Sequence, residues 1–382
     1  MDFEMDISEL AGKSYKCIDR CGVCCLCQPE LLPDEIKAFE ADPSLKTGLV
    51  RRPIAGEGSE IRTQLDLQGG CGACVFMKDR GCSIYDKRTH FCRQYPVHIH
   101  SMRRIQLNAN LSCRGVTPGG ASLLKFALEL LKATPVERLE NGLAKTSKDA
   151  AEFDGLCHDA DVYQPPEHLV SVARGLVPLL GKEDGLGRLI TIIEDAPSLK
   201  DMSEKDILST IRRANVAEDL QDEANQGNYE QFELDEIAWL PYYIGEDLVW
   251  NVFQSNDGAI DWMVLEEDGT LGLKENIDIE GIGLLERDKD ALKIFEDYAR
   301  LLISRDHTLG RAYNICDVLD YESDLMNVYL GVLGTTMIDL WWRASLVGRH
   351  TGRTIIDRWL AEEGIRAFDA DCLDAETIGL FL

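Results

Sequence analysis

Basic residues are scarce in this 382-residue chain: 40 Lys and Arg stand against 67 Asp and Glu, for a net charge of −27. That deficit argues against nucleic acid or an anionic membrane as a partner held by overall attraction. Long apolar runs are missing too. The richest stretch, Leu325 to Trp342, is broken by Asn327, Thr335, Thr336 and Asp339, so it reads as a buried helix and not as a membrane span. The opening residues, MDFEMDISEL, have neither a basic start nor an apolar core. No secretory signal is therefore expected, and the expected location is cytoplasmic. Neither an HExxH motif nor a nucleophilic serine elbow is present, which removes two common hydrolase classes.

Cysteine, by contrast, is abundant. There are 13, ten of them between Cys17 and Cys113, with Cys157, Cys316 and Cys372 scattered singly. Without a secretory signal, such clustering points to metal binding and away from a disulfide framework. Charge divides along the same line. Residues 1–120 hold 16 basic against 15 acidic residues, and residues 121–382 hold 24 against 52.

These asymmetries predict an α+β fold. An irregular cysteine-rich metal-binding domain covers residues 1–118, and an acidic, mainly helical domain with a small β-meander covers 119–382. The boundary falls in Val116-Thr117-Pro118-Gly119-Gly120, a run of breaker residues. In the first part a helix begins at Pro33, a strand covers Ile105–Leu111, and Val50–Gln68 is a loop or loosely paired strand region. In the second, helices are expected over Ser122–Lys132, Glu167–Leu180, Glu204–Asp222, Ala291–Ser304, Tyr321–Val347 and Ile355–Glu363. Asp257-Gly258 and Asp268-Gly269 mark turns in a meander of about three strands between Leu248 and Ile279. Cys157-His158, with Asp159 and Asp161, reads as a surface loop.

The cysteines fall into two clusters and a single: Cys17-x3-Cys21-Gly-x-Cys24-Cys25-Leu-Cys27, then Cys71-x2-Cys74 with Cys82 and Cys92, then Cys113. Thiolates two or three residues apart can converge on one metal centre because a turn brings their sulfurs together. The side chains of adjacent Cys24 and Cys25 are expected to diverge, so they serve two centres or one of them is no ligand. One centre with packing cysteines and two four-thiolate sites both remain open. Between Lys78 and Arg114 lie eight basic residues and two acidic ones, a charge suited to stabilising thiolates. Arg93 or Arg103 could alternatively grip an anionic cofactor or substrate. His98 and His100, flanking the second cluster, are candidate spare ligands or proton carriers.

The run Cys17-x3-Cys21-Gly-x-Cys24-Cys25, Cys74-Val-Phe-Met, Cys82-Ser-Ile-Tyr85-Asp and Arg88-x3-Cys92-Arg93-x-Tyr95-Pro96 resembles the YkgJ family of zinc- or iron-chelating cysteine-cluster proteins. Position by position, the resemblance implies that Cys17, Cys21, Cys24, Cys25, Cys74, Cys82, Cys92 and Cys113 bind metal. Cys27 and Cys71 fall outside the pattern, Thr89 stands where the family usually has proline, and Arg114 replaces another proline. The pattern is shared with flagellin lysine N-methylases. That likeness implies an iron–sulfur cluster, [4Fe–4S] in preference to zinc, with redox activity or S-adenosylmethionine-dependent methylation of protein lysines. A basic protein partner or substrate would then suit the acidic two-thirds. Cys17-x3-Cys21-x2-Cys24 also has radical S-adenosylmethionine spacing, but Val23 stands at a usually aromatic position and no βα repeat follows to build that barrel. The alternative reading is a zinc-binding structural or interaction protein with no catalytic metal.

Overall fold

The computed structural model describes residues 4–26, 28–53, 61–195, 198–217, 220–232, 242–369 and 380–382; Cys27, Trp239 and Cys372 lie outside them. The chain opens with two short strands, β1 (Met5–Asp6) and β2 (Ser14–Tyr15). Helices α1 (Pro33–Ala41) and α2 (Pro43–Lys46) each start on a proline, where a missing N–H costs no hydrogen bond. Strands β3 (Leu49–Pro53) and β4 (Ile61–Leu65) pair antiparallel, so Val50–Gln68 contains strand structure. A tight ribbon of β5 (Met77–Lys78) and β6 (Gly81–Cys82) turns through Asp79 and Arg80, both left-handed. Helix α3 (His90–Gln94) leads into the antiparallel pair β7 (Val97–Ser101) and β8 (Ile105–Ala109).

Strand β8 ends earlier than expected, and all five of its residues are buried despite the alternating pattern. Its polar face meets protein, not water. Gln106 donates to the Ser304 carbonyl at 2.8 Å and accepts from the Asp306 amide at 2.8 Å. On the other face, Val97, Ile99, Ile105 and Leu107 pack against the next helix. That helix follows β9 (Ala121–Ser122), which pairs with β2. It is α4 (Leu123–Ala133), capped by the Ser122 hydroxyl and burying Leu123, Ala127, Leu130 and Leu131. Helix α5 (Val136–Asp159) follows, and it corrects the surface-loop reading of Cys157-His158: both residues lie within the helix, and Cys157 is buried.

Four further helices precede the meander. They are α6 (Pro166–Leu180), α7 (Glu183–Glu194), α8 (Glu204–Arg213) and α9 (Leu220–Phe232). The single helix expected over Glu204–Asp222 is therefore two. After α8 the backbone of Ala214 is extended, and Ala217 donates to the Gly187 carbonyl of α7. The meander is a four-stranded antiparallel sheet: β10 (Tyr242–Ile244) precedes the expected span, and β11 (Trp250–Asn256), β12 (Ala259–Leu265) and β13 (Leu271–Asp278) are the three strands expected between Leu248 and Ile279. Asp257 and Gly258 have φ of 47° and 79°, the hairpin geometry that Asp-Gly favours.

Helices α10 (Lys289–Ser304), α11 (Asp306–Val318), α12 (Leu325–Thr351) and α13 (Arg358–Asp369) complete the bundle. Helix α12 starts later than Tyr321 because Asp324 caps it, accepting from the Asn327 amide. Helix α13 starts after Ile356, whose backbone is held extended between Glu286 and Asp288. Almost every residue of α12 from Leu325 to Gly348 is buried, and α6, α7, α9, α10, α11 and α13 pack around it. Among the described residues no helix is long and apolar enough to cross a membrane. Finally β14 (Leu380–Phe381) pairs with β7, completing a sheet ordered β1-β8-β7-β14.

Candidate metal centre

All eight cysteines of the resemblance line one cavity of about 200 Å³. Gly22, left-handed at φ 70°, turns the chain so that the short helical turn Val23–Cys25 follows Cys21 directly. The two cysteine clusters are laced by backbone: the Cys74 amide donates to the Cys25 carbonyl at 2.8 Å. Cys82 comes from β6 and Cys92 from α3, where Thr89 caps the helix by accepting from the Cys92 amide. The residue that departs from the family's proline thus has a local role. Cys113 sits in the turn after β8, its amide donating to the Asn110 carbonyl.

Cys71 does not line the cavity; its sulfur lies 3.5 Å from the Gly269 carbonyl, at the tip of the meander. Cys17 is exposed, Cys21, Cys74 and Cys113 are buried, and the other four are half-buried. Among the described residues no three His, Cys, Asp or Glu side chains are gathered closely enough to clasp an ion as they stand. The sulfurs form the walls of a chamber. They do not form the corners of a tight tetrahedron.

Cys24 and Cys25 do not diverge as expected. The short helical turn brings their thiols into a hydrogen bond, which lowers Cys24 to about 7 and raises Cys25. Burial raises Cys74 to about 12, raises Cys92 and Cys113 to about 11, and pushes Cys21 and Cys82 upward as well. Working against burial is a repeated device. The backbone N–H two residues on points back at the sulfur: Val23 at Cys21, Phe76 at Cys74, Ile84 at Cys82 and Gly115 at Cys113. The Tyr15 and Tyr95 hydroxyls donate to Cys17 and Cys113. Donors of this kind favour the thiolate, the form that binds metal.

The arginines facing the sulfurs are Arg20, Arg80 and Arg88. Arg88 favours ionisation at Cys24, Cys82 and Cys92, and Arg80 does so at Cys21. Arg80 is built in firmly: it stacks over Trp250 and donates to the carbonyls of Arg20, Cys21 and Leu248. Arg93 and Arg103 do not line the cavity. Arg93 lies 3.5 Å from Glu35, and Arg103 binds Asp154 at 2.9 Å and the Tyr313 hydroxyl at 3.1 Å. His98 and His100, on β7, are not part of the lining either; the His100 ring meets His307 at 5.8 Å. Spacing alone could find the cysteines. Arg80 and Arg88 belong to the basic stretch from Lys78 to Arg114, and Arg88 also to the motif, but the sequence does not single them out there as the arginines at the cavity; Tyr15 carries no local signal.

Residues 16–114 match the CxxCxxCC family model, described as a "Putative zinc- or iron-chelating domain". The N-terminal part of the chain is therefore a cysteine-cluster domain of the zinc- or iron-chelating kind. The chain is also similar to the lysine–tRNA ligases of Pseudomonas syringae pv. syringae (strain B728a) and Pseudomonas savastanoi pv. phaseolicola (strain 1448A / Race 6). Each is 29% identical over 119 residues, which is 30% of this chain and 22% of the ligase. The chain thus spans under a quarter of the length of those curated relatives. No solved structure matches.

Proposed function

We propose that the cysteine domain holds an iron–sulfur cluster, [4Fe–4S] in preference to a mononuclear zinc site, and that the protein works in electron transfer or redox chemistry. The observation that carries this reading is the chamber: eight thiols wall one space of about 200 Å³, wide for a single ion held by four sulfurs. The donor set fits such a group. It is all sulfur, which suits iron–sulfur clusters and zinc alike, and it is ringed by backbone N–H groups, two tyrosine hydroxyls and arginines that stabilise negative sulfur. When bound, an iron–sulfur cluster supplies one-electron chemistry whose potential follows the hydrogen bonds to its sulfurs and its exposure. In this chain Val23, Phe76, Ile84 and Gly115 set those hydrogen bonds, and burial of Cys21, Cys74 and Cys113 keeps water from them. Methylation and S-adenosylmethionine binding rest on the flagellin lysine N-methylase resemblance alone.

Anaerobic purification with metal and acid-labile sulfide analysis tests the proposal. The expected result is iron and sulfide in equal amounts, with broad visible absorption that bleaches on reduction. A colourless protein carrying stoichiometric zinc, unchanged by iron and sulfide reconstitution, would overturn it in favour of a structural zinc domain.

A further inference from the structure

Cys157 and Cys316 stand far apart in the sequence and outside the cysteine-cluster pattern. Cys157 occupies the last turn of α5 and Cys316 the last turn of α11, and both are fully buried. In the fold their thiols are hydrogen-bonded to each other. About one turn earlier on each helix, Phe153 and Tyr313 stack with ring centroids 4.2 Å apart, which sets the register of the crossing. Backbone hydrogen bonds close the other side. The Cys157 carbonyl accepts from Val162 at 2.9 Å and Tyr163 at 3.2 Å, and the Cys316 carbonyl accepts from Tyr321 at 3.0 Å. Stacked rings below and pinned carbonyls above hold the two sulfurs face to face.

We propose that Cys157 and Cys316 are a reversible oxidation site, forming a disulfide when a small peroxide reaches them. The oxidant has to be small because neither residue is exposed to solvent. Cys316 is the attacking thiol. The hydrogen bond from Cys157 draws its pKa below the ordinary value, while the same bond and burial raise Cys157; Asp317 and Asp324 oppose ionisation of Cys316. In the first step the Cys316 sulfur attacks one peroxide oxygen. An S–O bond forms, the O–O bond breaks, and hydroxide leaves as water with the thiol proton. In the second step Cys157 sulfur attacks the sulfenic sulfur, the S–S bond forms, and the S–O oxygen leaves as water with the Cys157 proton. Peroxide is reduced by two electrons and the two thiols are oxidised by two.

The bond would have a structural effect. Helix α5 lies on β7, where Thr146 Oγ1 meets Ser101 Oγ at 2.9 Å and the Met102 carbonyl at 2.9 Å. Helix α11 lies against α12. Oxidation would tie the sheet to the central helix of the bundle, a clamp that a dithiol releases.

The test exposes the holoprotein to hydrogen peroxide, then unfolds it in alkylating agent and digests it without reductant. The expected product is one cross-linked peptide pair joining Cys157 to Cys316, lighter by two hydrogens than its parts and separated by dithiothreitol. Recovery of both cysteines as singly alkylated peptides would overturn the proposal. In Cys157→Ala, Cys316 is expected to be captured as sulfenic acid by a cyclic dione, and absence of that adduct would overturn its role as attacker. Should that variant not fold, the wild-type peptides decide alone. Those peptides contain no cavity cysteine, so the result stands apart from which metal the cavity binds.

Discussion

Gly22 carries a φ of 70°, and a Cβ built there would lie 2.7 Å from Met77 Cε and 2.7 Å from Trp250 Cζ2. It is constrained twice, by conformation and by space, at the turn that presents Cys21 and Cys24. Gly12→Ala offers the control, because its φ is 78° but nothing lies within 4 Å of a Cβ. Gly22→Ala is expected to cost about 2–3 kcal/mol and to reduce bound metal; Gly12→Ala is expected to cost roughly 1 kcal/mol and leave metal unchanged. Urea midpoints and metal per chain measure both effects. At this scale the cysteines that line the cavity were legible, since turn spacing is local information. Trp250, Leu248 and the Cys157–Cys316 contact were not, since they depend on where distant helices and strands finish.

Strand β7 and the start of α11 share buried imidazoles. Burial pushes His100 down to about 3, and burial, with Arg305 beside it, holds His307 well below its ordinary value. Both are neutral in the folded protein, whereas in the unfolded chain they take up protons near pH 6.5. The unfolded state thus binds more protons below pH 6.5, and stability falls as pH drops from there toward 3. The expected slope is up to about 1.4 kcal/mol per pH unit per histidine. Urea midpoints at pH 7, 6 and 5 should show it, and His100→Gln should lessen it by one histidine's share; an equal slope in the variant would refute the assignment. Element boundaries show the same dependence on surroundings. Helix α5 escaped sequence reading because its buried face runs through Gly142, Thr146 and Ala150, residues that do not register as apolar periodicity. The glycines of α7 allow close approach: a Cβ at Gly185 would lie 2.3 Å from the Leu179 carbonyl, and one at Gly187 2.7 Å from Val216. Helix α11 is buried on several sides, so no polar face marks its period.

For the whole molecule, the uneven charge turns inward. Arg103, Arg104 and Arg114 of the basic stretch reach residues of the acidic remainder: Asp154, Asp306 and Glu363. The Arg114–Glu363 pair is almost fully enclosed, and the Tyr243 hydroxyl donates to Glu363 at 2.6 Å. Arg305 of the second half returns the contact, buried between Glu9 at 2.8 Å and Asp369 at 2.8 Å. Composition revealed the imbalance but not that these charges pair with each other. Glu363→Gln leaves Arg114 buried with a weakened partner and is expected to cost about 3–5 kcal/mol, little changed by salt. Glu362→Gln breaks only the exposed pair with Arg358, and its cost should stay below about 1 kcal/mol. Chemical denaturation at low and high ionic strength checks both.

The Trp250 indole donates to the Cys21 carbonyl at 3.0 Å, and Arg80 joins that same carbonyl to Leu248. This gives the metal chamber an order in time. A ribosome releases all eight cysteines well before it reaches residue 248, so a newly made cysteine loop waits without its backing. The loop containing Cys21 gains that support only when the meander has been synthesised and has docked. The backing of the cavity wall at Cys21 thus comes from the part of the chain that carries none of the eight cysteines.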